Sequence, residues 1–334
     1  MKQTFFIFLT IGFSIIAFEL FLKYSPFKRG ISPVVYHKDV GMWHKKNFSN
    51  YLIRDCYENQ YFFDEFGRVK NNYFYDEKKE DVILLGDSYI DGLMIENDKI
   101  IHNSLFSELN GSVNVLNYAL TGSGPMQQFA ILEYEVNLSN VKKLIHFINL
   151  EDDLGDGDPE KFNGSNRPKV FFYFTNLEQY RLVKPTPYNI KERIRDFLAS
   201  FELYAYLNRT RGYYTNLWNK PQLKVNDVDK YFMKNEAYRW KQLEGTIYQI
   251  NKLALNHKFE YDIIIKSSHE FKSNYQKQSK QFETFLFKQN INYLNINSFL
   301  KELENRHPLS FECDGHWNGK THQDLARYLY HELF

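Results

Sequence analysis

Two short stretches carry residues whose types and spacing suit nucleophilic catalysis. Gly86-Asp87-Ser88-Tyr89-Ile90-Asp91-Gly92 sets a hydroxyl between glycines directly after the apolar run 82–85. If that run is a strand and a helix follows, the glycines permit a tight turn that exposes Ser88 at the carboxyl end of a parallel strand, where open α/β sheets bind ligands. Far along the chain, Asp314-Gly315-His316-Trp317-Asn318 places a carboxylate two residues ahead of an imidazole. A serine hydroxyl is a weak nucleophile near neutral pH, so it needs a base within hydrogen-bond reach and a group that orients the base. His316 and Asp314 can supply both from one loop. Each stretch also has a bland reading, in which Ser88 caps the following helix, Asp314 caps the last helix and His316 sits at the surface. The order nucleophile, acid, histidine is that of the α/β-hydrolases, but the serine motif is not G-x-S-x-G, which argues against that fold.

These residues need a scaffold that brings positions 88 and 316 together, and the apolar pattern provides one. The runs 82–85, 113–118, 144–148 and 261–265 are short and do not alternate, as in strands buried on both faces of a parallel sheet. Segments of helical period lie between them: 98–109 behind a cap at Asn97, 127–138, 236–257, 272–289, and a terminal helix after Gly319. A short strand is expected near Tyr293. Strand and helix in alternation predict a doubly wound α/β sheet. Residues 155–235 interrupt the rhythm, with a hairpin predicted from 169–175 and 180–184 and a helix over 190–209; an insertion in this position is expected to act as a cap over the site. Residues 30–80 show no clear period and read as an irregular lead-in. The expected division is 1–29 membrane anchor, 30–80 lead-in, and 81–334 catalytic domain with the insertion at about 155–235.

The anchor follows from residues 5–22, 18 residues with a single charge, Glu19. At 1.5 Å per residue they span about 27 Å, close to the hydrocarbon thickness of a bilayer. No small-x-small cleavage site follows, which favours an uncleaved anchor over a cleaved signal. Lys2 on one side and Lys23, Lys28 and Arg29 on the other leave the orientation open. The formal net charge is +1, from 42 Lys and Arg against 41 Asp and Glu, which removes the case for nucleic acid as partner. With 43% hydrophobic residues the chain is not disordered. The 25 Tyr and 30 Phe read as compositional bias rather than as a sugar-stacking surface. Cys56 and Cys313 form one possible pair, and two separate buried thiols are equally compatible with the sequence.

Metal readings fail on spacing. Counting from Asp156 as the first ligand of a calcium loop, the sixth position is Lys161 and the twelfth Arg167, where Gly and Glu are needed. Cys313, His316 and His322 lack a fourth zinc ligand at a recognised spacing. His269, after the fourth core run, is a candidate for the cleft rim.

Taken together, the two stretches resemble the SGNH, or GDSL-type, hydrolases. GDSYIDG is similar to their first block, GDSxxxG, and DGHWNGKTHQDLA to their last, while NYALTGSGPMQQ (117–128) resembles the block whose glycine amide joins the oxyanion hole. The resemblance spans roughly 60–334, loosely over the insertion. It implies a flavodoxin-like three-layer sandwich, no cofactor and no metal, Ser88 as nucleophile, His316 as base, Asp314 as orienting carboxylate, and an oxyanion hole from Ser88, Gly122 and the residue at position 152. The family has Asn there, and this chain has Asp152. An ionised carboxylate cannot donate to an oxyanion, so Asp152 must be protonated, be replaced in the role by Asn149, or weaken the site. The implied function is an ester hydrolase acting on an ester-bearing small molecule or glycan of the cell envelope, with the domain outside the cytoplasm. A surface-polysaccharide O-acyltransferase and a degenerate, non-catalytic glycan- or partner-binding member are the alternatives.

Overall fold

In the computed structural model the described residues are 2–25, 32–156, 168–199 apart from 189, 201–210 apart from 209, 236–267 and 273–334. The five strands of the central sheet, numbered here in chain order, are β1 (Asp81–Leu85), β2 (Asn114–Asn117), β3 (Val141–Asn149), β4 (Glu260–Lys266) and β5 (Asn292–Asn295). All neighbours are parallel, in the spatial order 2-1-3-4-5. That order is the flavodoxin-like one, with its switch point at β1 and β3.

The absence of alternation in the apolar runs has a direct cause. Ile83, Leu85, Leu116, Leu144, Ile148, Ile263 and Ile265 face one apolar core, while Val82, Leu84, Val115, Ile145, Phe147 and Ile264 face the other. Both faces are covered, so both parities are apolar, and each fully buried side chain of this size contributes about 1.5–3 kcal/mol.

The helices are α1 (Lys2–Tyr24), α2 (Ser88–Asp91), α3 (Ile101–Glu108), α4 (Pro125–Tyr134), α5 (Leu150–Asp156), α6 (Ile190–Leu198), α7 (Glu236–His257), α8 (Ser273–Lys288), α9 (Asn297–Glu304) and α10 (Gly319–Leu333). The first core is closed by α4, α7 and α8, and the second by α3, α9 and α10.

Several boundaries differ from expectation. Asn97 does not cap α3: a single 3₁₀ turn (Asn97–Lys99) intervenes, and the Asn97 carbonyl instead accepts from the Asn103 side chain at 2.6 Å. Helix α4 starts two residues early because Pro125 supplies a favourable first position, and it ends at Tyr134. Helix α9 is additional to the expected elements; it is two turns long and amphipathic, with Leu300 and Leu303 on its buried face. At α10 the cap is Asn318, whose side chain accepts from Thr321 N at 3.0 Å, which leaves Asp314 free for another role.

The largest difference lies in residues 34–62, which are regular, whereas 63–80 form no helix or strand beyond isolated bridges at Phe63 and Val69. Residues 34–62 form two antiparallel hairpins, Val34–His37 with Gly41–His44 and Ser49–Arg54 with Tyr57–Phe62. Their strands are four to six residues long, too short for a clear period, and tertiary contacts decide them. Val40 and Trp43 enter the first core and Tyr61, Phe63 and Val69 the second. Asn59 donates to the carbonyls of Leu93 and Ile95 at 2.8 and 2.7 Å, and Gln127 donates to Val40 O at 3.0 Å.

The hairpin expected in the inserted region is present, as Phe171–Phe174 with Tyr180–Val183. It seats on the outer helices. Phe174 lies over Gly245 of α7, where an added Cβ would stand 2.4 Å from the ring, and Phe174 N donates to Gln242 Oε1 at 2.9 Å. Phe172 packs on Phe129 of α4 with ring centroids 5.0 Å apart. The helix expected over 190–209 is broken after Leu198 and resumes at 202–208. Helix α1 is long and apolar enough to cross a membrane.

Candidate active site

Ser88 opens the short helix α2 directly beyond β1. Asp87 is its N-cap, with backbone at φ −97° and ψ −152°, and its carboxylate accepts from Tyr89 N at 2.9 Å. This leaves the Ser88 hydroxyl free to face outward. Its Oγ lies 2.7 Å from His316 Nε2. On the far side of the ring, His316 Nδ1 is hydrogen-bonded to Asp314 Oδ1, and the His316 backbone N–H donates to the same carboxylate oxygen at 3.2 Å. The three residues singled out from two distant stretches are thus brought into one hydrogen-bonded line.

Asp314 and His316 sit on the strand Asp314–Trp317, paired antiparallel with Ser310–Phe311. Period two sends positions 314 and 316 to the same side. The loop is braced from the second hairpin: Tyr57 Oη donates to Asp314 Oδ2 at 3.0 Å, and Cys56 is disulfide-bonded to Cys313. Partial burial raises the Asp314 pKa, but hydrogen bonds from His316 and Tyr57 outweigh it and hold the carboxyl below its ordinary value. Burial, and then the bond to Asp314, push the Tyr57 hydroxyl up to about 12, so it remains a donor at any physiological pH. Tyr57 has no motif around it; only the neighbouring Cys56 pointed this way.

Gly122 lines the same cleft as Ser88, Asp314 and His316, with a volume of about 290 Å³. Its φ of +75° lies in the left-handed region that favours glycine. The loop before it is fixed by Asp91, the last acid of GDSYIDG, whose Oδ2 accepts from Thr121 N at 2.9 Å and Thr121 Oγ1 at 2.5 Å. Asp91 is fully buried and lies 3.5 Å from His44 Nε2, itself buried and stacked on Phe63. The motif spelled out Asp91, but its role depends on a fold contact 30 residues away.

Asp152 is exposed and accepts from the Asn149 side-chain amide at 2.8 Å; neither residue is among those lining the cleft. Asn149, the last residue of β3, is buried, and its side-chain oxygen has no hydrogen-bond partner among the described residues. β1 is flanked by β3, where Leu85 pairs with His146, and by β2, where Leu84 pairs with Asn117, so Asn149 and the loop of Gly122 leave the sheet at the same carboxyl edge as Ser88.

Lys266, at the end of β4 and paired with Asn149, is buried with its ammonium 3.7 Å from the centre of the Tyr89 ring. Burial lowers its pKa, opposed by Asp87 and by the carboxylates of Glu151, Asp152 and Asp153. Tyr89 in turn packs on His316, ring centroids 5.2 Å apart, and on Trp317 at 5.0 Å. Trp317 is buried packing beside the loop.

The zinc reading does not survive the contacts: Cys313 is consumed by the disulfide, and His322 is buried with Nδ1 accepting from Ile101 N at 3.1 Å. His269 and most of the 156–167 segment tested as a calcium loop lie outside the described residues.

No family model and no curated protein matches the chain. Among solved structures it is similar to a member of the lipolytic protein G-D-S-L family from Veillonella parvula, with 12% identity, covering 76% of this chain and 98% of that one at a TM-score of 0.42. It is also similar to the psychrotrophic esterase EstA from a Pseudoalteromonas species, with 12% identity, coverage of 76% and 95%, and a TM-score of 0.39. A third is the acetylxylan esterase Axe2 from Geobacillus stearothermophilus, with 11% identity, coverage of 76% and 94%, and a TM-score of 0.40.

Proposed function

We propose that this chain is a membrane-anchored serine esterase of the SGNH type. The observation that carries the reading is the line Ser88 Oγ, His316 Nε2, Asp314, in which a nucleophile, its base and the base's orienting carboxylate are already in hydrogen-bond reach. In this mechanism Ser88 Oγ attacks the ester carbonyl while His316 takes its proton. The resulting imidazolium is stabilised by Asp314, which Tyr57 holds in place. His316 then protonates the leaving alcohol, and an acyl group remains on Ser88. Water, deprotonated by His316, attacks that acyl-enzyme and releases the acid.

The oxyanion is assigned to the backbone N–H groups of Ser88 and Gly122, with Asn149 in the side-chain role. One N–H of the Asn149 amide goes to Asp152, which orients it, and the other remains for the substrate. Asp152 then acts behind the hole rather than in it, and its charge does not rule out turnover. Met42, Leu93, Met94 and Leu120 give the cleft an apolar part suited to a short acyl chain.

The substrate class proposed is an ester of the cell envelope, small-molecule or polysaccharide. Transfer of the same acyl group to a sugar hydroxyl is the second reading, favoured by the apolar helix α1, which would hold the domain near envelope glycans. The domain is proposed to lie outside the cytoplasm, as its disulfide favours. A fluorophosphonate probe should label the full-length protein and leave Ser88→Ala unlabelled. Equal labelling of both would end the serine mechanism. With an added oligosaccharide, released acetate identifies the esterase and acetylated sugar the transferase.

A further inference from the structure

Outside α1, exposed large apolar side chains such as Phe74, Leu255 and Phe287 stand singly, and those of helix α6 form a group. Helix α6 leaves Ile190 79% exposed, Ile194 56% and Phe197 63%, with Leu198 beside them. At 100° per residue these four positions fall within an arc of about 100°. Lys191 and Arg193, both exposed, flank that arc on its two sides, with Arg195 farther round. Phe201, also exposed, extends the patch by packing on Phe197 with ring centroids 5.3 Å apart. An apolar stripe bordered by basic side chains is the pattern of a helix lying in the plane of a membrane interface.

A second, independent contact fixes the level of this helix. Glu19, the single charge in the apolar span of α1, accepts from the backbone N–H groups of Glu202 and Leu203, both at 2.8 Å. These amides open the helical segment 202–208, four residues after α6 ends. Glu19 lies five residues before the end of α1, about 7.5 Å along the axis. The inserted region is therefore tied to α1 at the depth where the apolar span gives way to polar chain.

We infer that α6 docks on the lipid surface, with Ile190, Ile194, Phe197 and Leu198 among the acyl chains and Lys191 and Arg193 at anionic headgroups. The anchor and this helix then grip the same leaflet. The consequence reaches the cleft: Tyr188, two residues before α6, donates to Met42 Sδ at 3.1 Å, Tyr36 donates to Pro185 O at 3.2 Å, and Met42 lines the cleft. Its rim is held beside the lipid surface and does not swing free on a tether.

The test uses the full chain reconstituted in phosphatidylethanolamine–phosphatidylglycerol vesicles, with nitroxide labels on Ile194→Cys, Phe197→Cys and Glu192→Cys. Cys56 and Cys313 are blocked by their own bond, and far-UV circular dichroism with a cooperative thermal transition reports that each variant is folded. At 194 and 197 collision with oxygen should exceed collision with a water-soluble nickel chelate several-fold, and at 192 the preference should reverse. Equal access of the chelate to all three positions means that the stripe faces water, and the inference falls. Low access of both reagents at 194 and 197 means that protein, including a second copy of this chain, covers the stripe, and it falls equally. Lys191→Gln with Arg193→Gln should reduce the oxygen preference in these vesicles and leave it unchanged in phosphatidylcholine alone.

Discussion

The cleft has two walls of different origin. One is the carboxyl edge of the sheet, where Ser88 and Gly122 follow adjacent parallel strands and Asn149 ends the next. The other is the hairpin Ser49–Arg54 with Tyr57–Phe62, which reaches the Asp314 loop through one phenol and one disulfide across 257 residues of sequence. The sheet wall places Ser88, and the hairpin wall braces the loop that carries His316. Position is therefore a property of the core, whereas orientation of His316 depends on a separate brace. The two should fail under different insults.

The largest effect is expected on the line between the walls. Ser88→Ala and His316→Ala should each cut ester hydrolysis by about 10⁴-fold or more, and the double variant should be no worse than either, because coupled groups lose their function together. Losses that multiply would mean that the residues do not act as a pair.

Acid should break the sheet wall. His102, His146 and His322 are fully buried, and burial pushes each down to about 3. In the unfolded chain they take up a proton near 6.5, so their neutral burial favours the fold in full above that pH and loses it as pH falls toward 3. Each contributes a slope of up to about 1.4 kcal/mol per pH unit across that window. Urea unfolding at a series of pH values should show stability falling steadily below 6.5; a flat profile down to pH 4 would contradict this assignment.

Reduction should loosen the hairpin wall first. Replacing Cys56 and Cys313 together by Ser should cost about 2–5 kcal/mol of unfolding free energy while far-UV circular dichroism still reports an intact sheet. Tyr57→Phe is milder. It removes one hydrogen bond to Asp314, an interaction with a charged group of about 1.5–3 kcal/mol, and kcat should fall about tenfold or more with KM little changed. An unchanged kcat would detach the brace from catalysis.

The smallest effect is the most discriminating within the sheet wall. Asp152→Asn keeps an acceptor for the Asn149 amide, and activity should change by less than about threefold, whereas Asn149→Ala removes a donor and should cost about 10²-fold. The reverse ranking would return position 152 to the oxyanion hole.

The same division governed what the sequence revealed. The sheet wall was legible because a strand buried on both faces must be an apolar run, and 82–85, 144–148 and 261–265 are such runs; Ser88 followed from the motif after the first of them. The hairpin wall was not legible. Its strands mix buried and exposed positions over six residues each, and what makes them strands is remote, as in Asn59 reaching Leu93 and Ile95. Asp91 was visible, yet its partner Thr121 meets it only once β1 and β2 lie side by side. Motif alignment points to position 152 and offers Asn149 as its alternative, and what separates the two is visible only in the fold, where Asn149 ends β3 buried and Asp152 is exposed.

The disulfide also sets an order of assembly. Cys313 is made 257 residues after Cys56, so the bond cannot close until the sheet strands between them have emerged and brought the two thiols together. Both are exposed, which leaves their bond open to the redox state of the surrounding medium. In a reducing compartment the Asp314 loop keeps Tyr57 but lacks its covalent tie. Under the proposed function, with the domain outside the cytoplasm, the same cross-link that steadies His316 would also act as a timer on the onset of activity.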